Sequence, residues 1–304
     1  MAESDDVVVV VNPTAGRGKA GKLVGKVDRL LIEAGVPHTV EVSDSATGLK
    51  DLAHTAAERG AAIVAPLGGD GTMGLVAQVL TGTTTALAPL PAGTGNDFAA
   101  SMGIANLAAG IRAVAAANLV PIDVVSLVTD DDERIFINIA GCGFDSEVNE
   151  AANAMRLNLG GTGTYVAALV KTLSRFSPAG FRIELDDGVV EGRHMLVVVG
   201  NAISYGGGMK VTPDASVVDG VLDVCLLREV STTTFLRAFP KVFRGTHVTH
   251  PAVTMARAKH VRVVADRRVM VYADGERVGP APATFEVRPK ALTVVVGPNA
   301  AAVR

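Results

Sequence analysis

Val7 to Val11 is an unbroken run of five valines that stops at Asn12-Pro13. Branching at Cβ disfavours a helix. A continuous apolar run, unlike an alternating one, implies a strand covered on both faces, as in a parallel α/β sheet. The following segments supply what such a strand requires. "GKLVGKVDRLLIEAG" sets Leu23, Val27, Leu30 and Leu31 at helical spacing and stops at Gly35, which predicts a helix with a glycine cap. Strand "HTVEV", helix "GLKDLAHTAAERG", strand "AAIVAP" and helix "GLVAQVLTG" continue the alternation. "TALAPLPAGTGNDFAASMGI" adds a strand and loop, and "LAAGIRAVAAANL" a helix ending near Pro121. The pattern predicts a three-layer α/β domain over residues 1–125 with a mostly parallel sheet.

From about Val124 the texture changes. "IDVVSLVT", "RIFINIAGCG", "GFRIELDDGVVEGRHMLVVVGN", "GVLDVCLLREV", "HVRVVADRRVMVYADGERV" and "ATFEVRPKALTVVVG" read as strands joined by Asp-Gly, Gly-Gly and Pro turns. Helices are expected around "GTYVAALVKTLSRF" and "TTTFLRAFPKVFRG". The second domain, 126–304, is therefore a sheet structure carrying inserted helices, with its last residues free to pack back on the first domain.

Several function classes fall away on composition. At 304 residues with 48% hydrophobic and 19% charged residues the chain is globular. A net charge of −3 without a basic stripe argues against nucleic acid as a partner. Cys142 and Cys225 are too few and too far apart for a disulfide framework or a zinc site, so two buried thiols in the cytoplasm are expected. "MAESDD" lacks the basic region of a signal sequence, and no apolar run is long enough to cross a bilayer.

Three glycine-containing turns follow predicted strands: "NPTAGRG" (Asn12 to Gly18), "GGDGT" (Gly68 to Thr72) and "PAGTGND" (Pro91 to Asp97). In an open parallel sheet the ligand crevice lies beyond the carboxyl ends of the strands, where these loops would meet. None is a Walker A or full dinucleotide sequence. Backbone amides of Thr14 to Gly16 and the hydroxyls of Thr14, Thr72 and Thr94 suit phosphate. Asp70 and Asp97 do not, unless magnesium lies between carboxylate and phosphate or a carboxylate takes a substrate proton. The second half repeats the theme. Asp274 and Glu276 flank a glycine in "YADGERV", on one face if strand alternation holds and free of that constraint in a hairpin. Asp214, Asp219 and Asp223 surround another Asp-Gly turn, a solvated loop or a hard-cation site. The six histidines show no ligand spacing.

Taken in order, "NPTAGRG", "GGDGT", "PAGTGNDFA", "GFDSEV", "NAISYGGGMKVTPDASVVDGVLDV" and "ADGERV" resemble the bacterial diacylglycerol kinase family, lipid kinases related to sphingosine kinases and NAD kinases. "GGDGT" also occurs in NAD kinases. "NPTAG", "DGVLDV" and "DGE" favour the lipid-kinase branch. The resemblance implies transfer of the γ-phosphate of ATP to the hydroxyl of diacylglycerol, giving phosphatidic acid in phospholipid metabolism. Another lipid alcohol of sphingoid type, or NAD, is the alternative acceptor. It also implies a C-terminal β-sandwich for the lipid, a cleft between the domains, and a cytoplasmic protein peripheral to the inner face of the plasma membrane. A homodimer stays open.

Carried over by position, ATP would be bound by Asn12, Pro13, Thr14, Ala15, Gly16, Ser43, Gly69, Asp70, Gly71, Thr72, Thr94, Asn96 and Asp97. Glu276 matches the proton acceptor, with Asp274 and Asp70 beside it in catalysis. Ser216, Asp219 and Val221 match a Mg2+ site that supports the fold. Gly74 and Leu75 depart from the pattern, replacing an Asn-Glu pair common in the family. For lipid access the sequence offers "YVAALVKTLSRF" and "FLRAFPKVF", with Phe176, Phe235, Phe239 and Phe243 beside Lys171, Arg175, Lys241 and Arg244. Apolar residues flanked by cations suit an anionic bilayer surface, and equally a core helix with a solvated edge.

Overall fold

The structure, a computed structural model, describes residues 7–154, 172–173 and 175–303. The helix expected around "GTYVAALVKTLSRF", with Lys171, falls largely outside the described residues. The chain divides into two compact units. Unit 1 comprises Met1–Val124, Ser216–Gly220 and Arg288–Arg304; unit 2 comprises Val125–Ala215 and Val221–Val287. Ser216–Gly220 thus belongs to unit 1 although it falls within 126–304, and Arg288–Arg304 is the stretch where the last residues were expected to pack back on the first domain.

Unit 1 runs β1 (Val7–Val11), α1 (Ala15–Glu33), β2 (His38–Val42), α2 (Ala46–Glu58), β3 (Ile63–Gly68), α3 (Asp70–Leu80), β4 (Ala86–Leu87), β5 (Leu90–Pro91), α4 (Asp97–Ser101), α5 (Leu107–Ala116) and the start of β6 (Leu119–Thr129). The valine strand is central. Val9 of β1 stands opposite Val40 of β2 on one side and Ala65 of β3 on the other, both parallel. β4 and β5 pair in parallel with successive parts of β3. All five valines are buried, as a strand covered on both faces requires. Val27 and Leu31 of α1 join Ile111 and Val114 of α5 in one core with Val7, Val9 and Val11.

Helix starts differ from the sequence reading. α1 begins at Ala15 and not at Gly21, and α3 at Asp70 and not at Gly74. The apolar period starts late because the first turn of each helix is made of small and polar residues of the glycine loop. "TALAPLPAGTGNDFAASMGI" forms two short strands and α4, where one strand and a loop were expected.

Unit 2 continues with β7 (Glu133–Phe136), β8 (Ile139–Gly143), α6 (Phe144–Ala154), β9 (Ala179–Leu185), β10 (Gly188–Gly200), β11 (Leu222–Arg228), α7 (Thr232–Ala238), 3-10 turns over Phe239–Arg244 and Thr246–Thr249, β12 (Val253–Ala258), β13 (His260–Ala265), β14 (Met270–Ala273), β15 (Glu276–Pro280) and β16 (Ala283–Val295). Its pairing is antiparallel: β10 lies against β8, β9 and β11, β12 against β11, and β14 against β8 and β15. Side chains alternating inward from these strands, among them Phe181, Ile183, Val197, Val224 and Val263, build a sandwich core. Phe136 and Phe285 meet edge-on within it, centroids 6.3 Å apart. β16 ends in unit 1, where Val294 pairs in parallel with Leu87 of β4. Cys142 and Cys225 are buried free thiols. Among the described residues no helix is long and apolar enough to cross a membrane.

Candidate active site

Because β2 and β3 flank β1 on opposite sides, the strand order reverses direction at β1, the position where open α/β sheets bind ligands beyond their strand ends. The loops after β1, β3 and β5 converge there, and glycine permits it. A Cβ on Gly16 would lie 2.6 Å from the Ala92 carbonyl oxygen, and one on Gly93 2.6 Å from the Gly69 Cα. Each loop is also fastened internally. The Asn12 side-chain oxygen accepts from the Thr14 amide at 3.1 Å and its hydroxyl at 2.7 Å. Asn96, at φ 57°, clasps Gly93 through both amide atoms, accepting from the Gly93 amide at 2.8 Å and donating to its carbonyl at 3.0 Å. Thr72 packs over Gly68, leaving no room for a side chain there.

Asp70 opens α3, and its carboxylate receives the Phe98 amide of α4 at 2.9 Å. The acid thus fastens the third loop to the second. Burial pushes its carboxyl above the ordinary carboxylate value; the Phe98 amide opposes this, and the nearby Asp97 charge adds to it. A carboxylate so placed binds a proton or a cation readily, which suits magnesium. Thr14, Gly16 and Thr94 are exposed on this rim, with Asn12, Pro13, Ala15, Gly69 and Gly71 half-buried. Ser43, expected to contact ATP, is buried, and its hydroxyl donates to the Ser45 carbonyl at 2.6 Å inside its own loop.

Ser216 and Asp219 lie in the segment that unit 1 takes from the β-rich half, followed by Val221. The Val217 amide donates to the Ala302 carbonyl at 2.9 Å. Asp123, only 1% exposed, receives the Gly220 amide at 2.7 Å and the Lys290 amide at 2.8 Å. A hydroxyl, a carboxylate and a main-chain carbonyl are hard oxygen donors of the kind that Mg2+ takes. Among the described residues no three His, Cys, Asp or Glu cluster around a metal position.

In unit 2, Asp274 (φ 50°) and Gly275 (φ 83°) form the two-residue turn of the β14–β15 hairpin, with Ala273 opposite Glu276. Asp274 accepts from the amides of Ile137 (3.0 Å), Asn138 (3.0 Å) and Ile139 (3.3 Å). That tie fixes the hairpin to the start of β8 and leaves Glu276 exposed beside the turn.

Unit 2 also carries a partly open apolar cavity of about 90 Å³. Phe144, Met209, Cys225, Phe235, Phe239 and Val242 are among its lining residues. Its polar lining includes Asp145 and His247. Asp145 follows β8 at the start of α6, where a Cβ on Gly141 would collide with its carboxylate. The Ser146 amide donates to it at 2.9 Å, yet desolvation pushes its carboxyl up to about 7. His247 pairs through Nε2 with the Val211 carbonyl at 3.1 Å, and burial lowers its pKa. Among the described residues its buried Nδ1 has no hydrogen-bond partner.

Two family models cover this architecture: the diacylglycerol kinase catalytic domain over residues 6–127, and the YegS C-terminal NAD kinase beta sandwich-like domain over residues 138–296. A diacylglycerol kinase of Mycobacterium tuberculosis is 37% identical over 302 residues, covering 96% of each chain. The chain belongs to the diacylglycerol kinase family. A Bacillus subtilis diacylglycerol kinase is 29% identical over 282 residues, 91% of each chain. The crystal structure of a diacylglycerol kinase from Bacillus anthracis shares the fold, with a TM-score of 0.74 at 21% identity over 97% of this chain and 98% of that one. Within this family member, sequence reasoning assigned no role to Asp123 or Asp145. Both stand inside apolar runs, "PIDVVSLV" and "AGCGFDSEV", and an acid there signals a buried carboxylate with a structural or binding task.

Proposed function

We propose that the chain is a lipid kinase that transfers the γ-phosphate of ATP to the hydroxyl of diacylglycerol, yielding phosphatidic acid. The observation that carries this reading is the unit 2 cavity. A soluble nucleotide such as NAD needs a lining rich in donors and acceptors, whereas carbon surrounds this space and an acyl chain fills it at about 0.8 kcal/mol per buried methylene. Asp145, protonated in part near neutral pH, can donate to an ester carbonyl or hydroxyl.

The unit 1 loops hold ATP in this account. The first turn of α1 and the exposed hydroxyls of Thr14 and Thr94 donate to phosphate oxygens, and Asn12 and Asn96 keep the loops in shape. Asp70 is the residue that would hold magnesium, which when bound would supply charge neutralisation for the phosphates. Glu276 accepts the proton of the lipid hydroxyl as its oxygen attacks phosphorus, and Asp274 is a positioning residue that holds the hairpin carrying it. Ser216, Asp219 and Val221 would hold a second Mg2+, which would add to the hold that Asp123 already has on this loop through the Gly220 amide.

Label transfer from γ-labelled ATP, offered in parallel to diacylglycerol, a sphingoid base and NAD, tests the reading. Labelled phosphatidic acid is expected, and Glu276→Gln should abolish it while leaving ATP binding intact. Label in NAD, or none in any lipid, would refute it.

A further inference from the structure

Between Glu229 and Asp266 the chain contains no acidic residue, while Arg237, Lys241, Arg244, Arg257, Lys259 and Arg262 fall inside the interval. In a chain of net charge −3 this is a marked local excess of positive charge. Arg257 and Arg262 face acids on neighbouring strands, 3.8 Å from Asp223 and 3.6 Å from Glu184. Arg237, Lys241 and Arg244 form no ion pair among the described residues. They stand on α7 and the 3-10 turn after it, beside two large apolar side chains that water reaches: Leu236 is 44% exposed and Phe243 47%.

The same segment has an opposite face. Phe235, Ala238, Phe239 and Val242 line the apolar cavity. Phe243 meets Phe239 edge-on, ring centroids 6.0 Å apart, and Phe239 stacks on Phe235 at 5.8 Å. Aromatic contact is therefore continuous from solvent to cavity lining. Exposed aliphatic and aromatic side chains with neighbouring cations in the same segment, unpaired among the described residues, are a poor match for water and for a cationic or neutral protein surface. They match the boundary between acyl chains and anionic headgroups.

We propose that Leu236, Arg237, Lys241, Phe243 and Arg244 form a docking face for a leaflet containing anionic phospholipid. Phe243 and Leu236 enter the acyl boundary, and the three cations lie among the headgroup phosphates. The use of this face in catalysis rests on the lipid-kinase reading; the binding itself does not.

Co-sedimentation of the full chain with phosphatidylcholine vesicles, and with vesicles containing one-third phosphatidylglycerol, tests this. Binding is expected to the anionic vesicles, falling as salt rises. The double variant Lys241→Ala with Arg244→Ala should lower partitioning about thirtyfold at low salt. Leu236→Ser with Phe243→Ser should release the chain at moderate salt. Both variants should melt as the unmodified chain does and keep turnover of a water-dispersed short-chain diacylglycerol. Equal binding to both vesicle types, or unchanged partitioning of the charge variant, overturns the docking face. Vesicle binding of the expected pattern by a chain inactive on every lipid would support the docking face while refuting the kinase reading.

Discussion

Asp145 offers the sharpest energetic test, because an acid is buried in an apolar cavity and the donors that oppose its desolvation come from Ser146 and its own main chain. Its carboxyl rises from the ordinary 3.8 to about 7 on folding. Between those values the folded chain holds a proton that the unfolded chain has lost, so stability falls as pH rises through that window and levels off above it. At about 1.4 kcal/mol for each tenfold change in proton affinity, the full loss is roughly 4 kcal/mol. Asp145→Asn keeps an acceptor for the Ser146 amide and cannot ionise. Its stability curve should therefore lack this slope, with the variant gaining on the unmodified chain from pH 4 to pH 8. Denaturant unfolding of each protein across that range, followed by a signal from unit 2, measures the difference. Parallel curves would show that Asp145 is hydrated and ionised, and the polar anchor assigned to the cavity would go with it.

Two substitutions probe the rest of the framework. Gly93→Ala drives a Cβ to 2.6 Å from the Gly69 Cα and 2.9 Å from the Asn96 side-chain oxygen, which should cost about 1–3 kcal/mol and abolish ATP binding. Gly25→Ala, which meets nothing within 4 Å, should leave binding intact; isothermal titration with ATP separates the two. Asp274→Ala strands the amides of Ile137, Asn138 and Ile139. It should lower the melting temperature of unit 2 by several degrees, with Asp274→Asn intermediate; an unchanged melt contradicts the positioning role.

Much of unit 1 was legible because its signals are local. Five valines without a polar break specify a buried parallel strand, and glycine after each strand specifies a sharp turn toward the strand ends. The helix starts were not legible, since Ala15 to Gly18 and Asp70 to Gly71 carry no apolar period and become helical through loop contacts made elsewhere. Ser43 shows the same limit: a hydroxyl at the right place in sequence is engaged by Ser45 once the loop closes. In unit 2 the Asp-Gly hairpin was readable from Asp274 and Gly275. That the aspartate is held by residues more than a hundred positions away was not. The cavity was hidden for a related reason: its walls come from α6, β10, β11 and the α7 segment, and only "FLRAFPKVF" advertised an apolar face in advance.

The central claim is that the unit 2 cavity receives the acyl part of the substrate. Cys225 lines it from β11, a strand position that accepts an aromatic residue. Cys225→Phe should fill the space. Excluding two methylenes at about 0.8 kcal/mol each raises the KM for long-chain diacylglycerol roughly tenfold, with the KM for ATP and the melting temperature nearly unchanged. An unaltered KM for long-chain diacylglycerol in this variant would contradict the account.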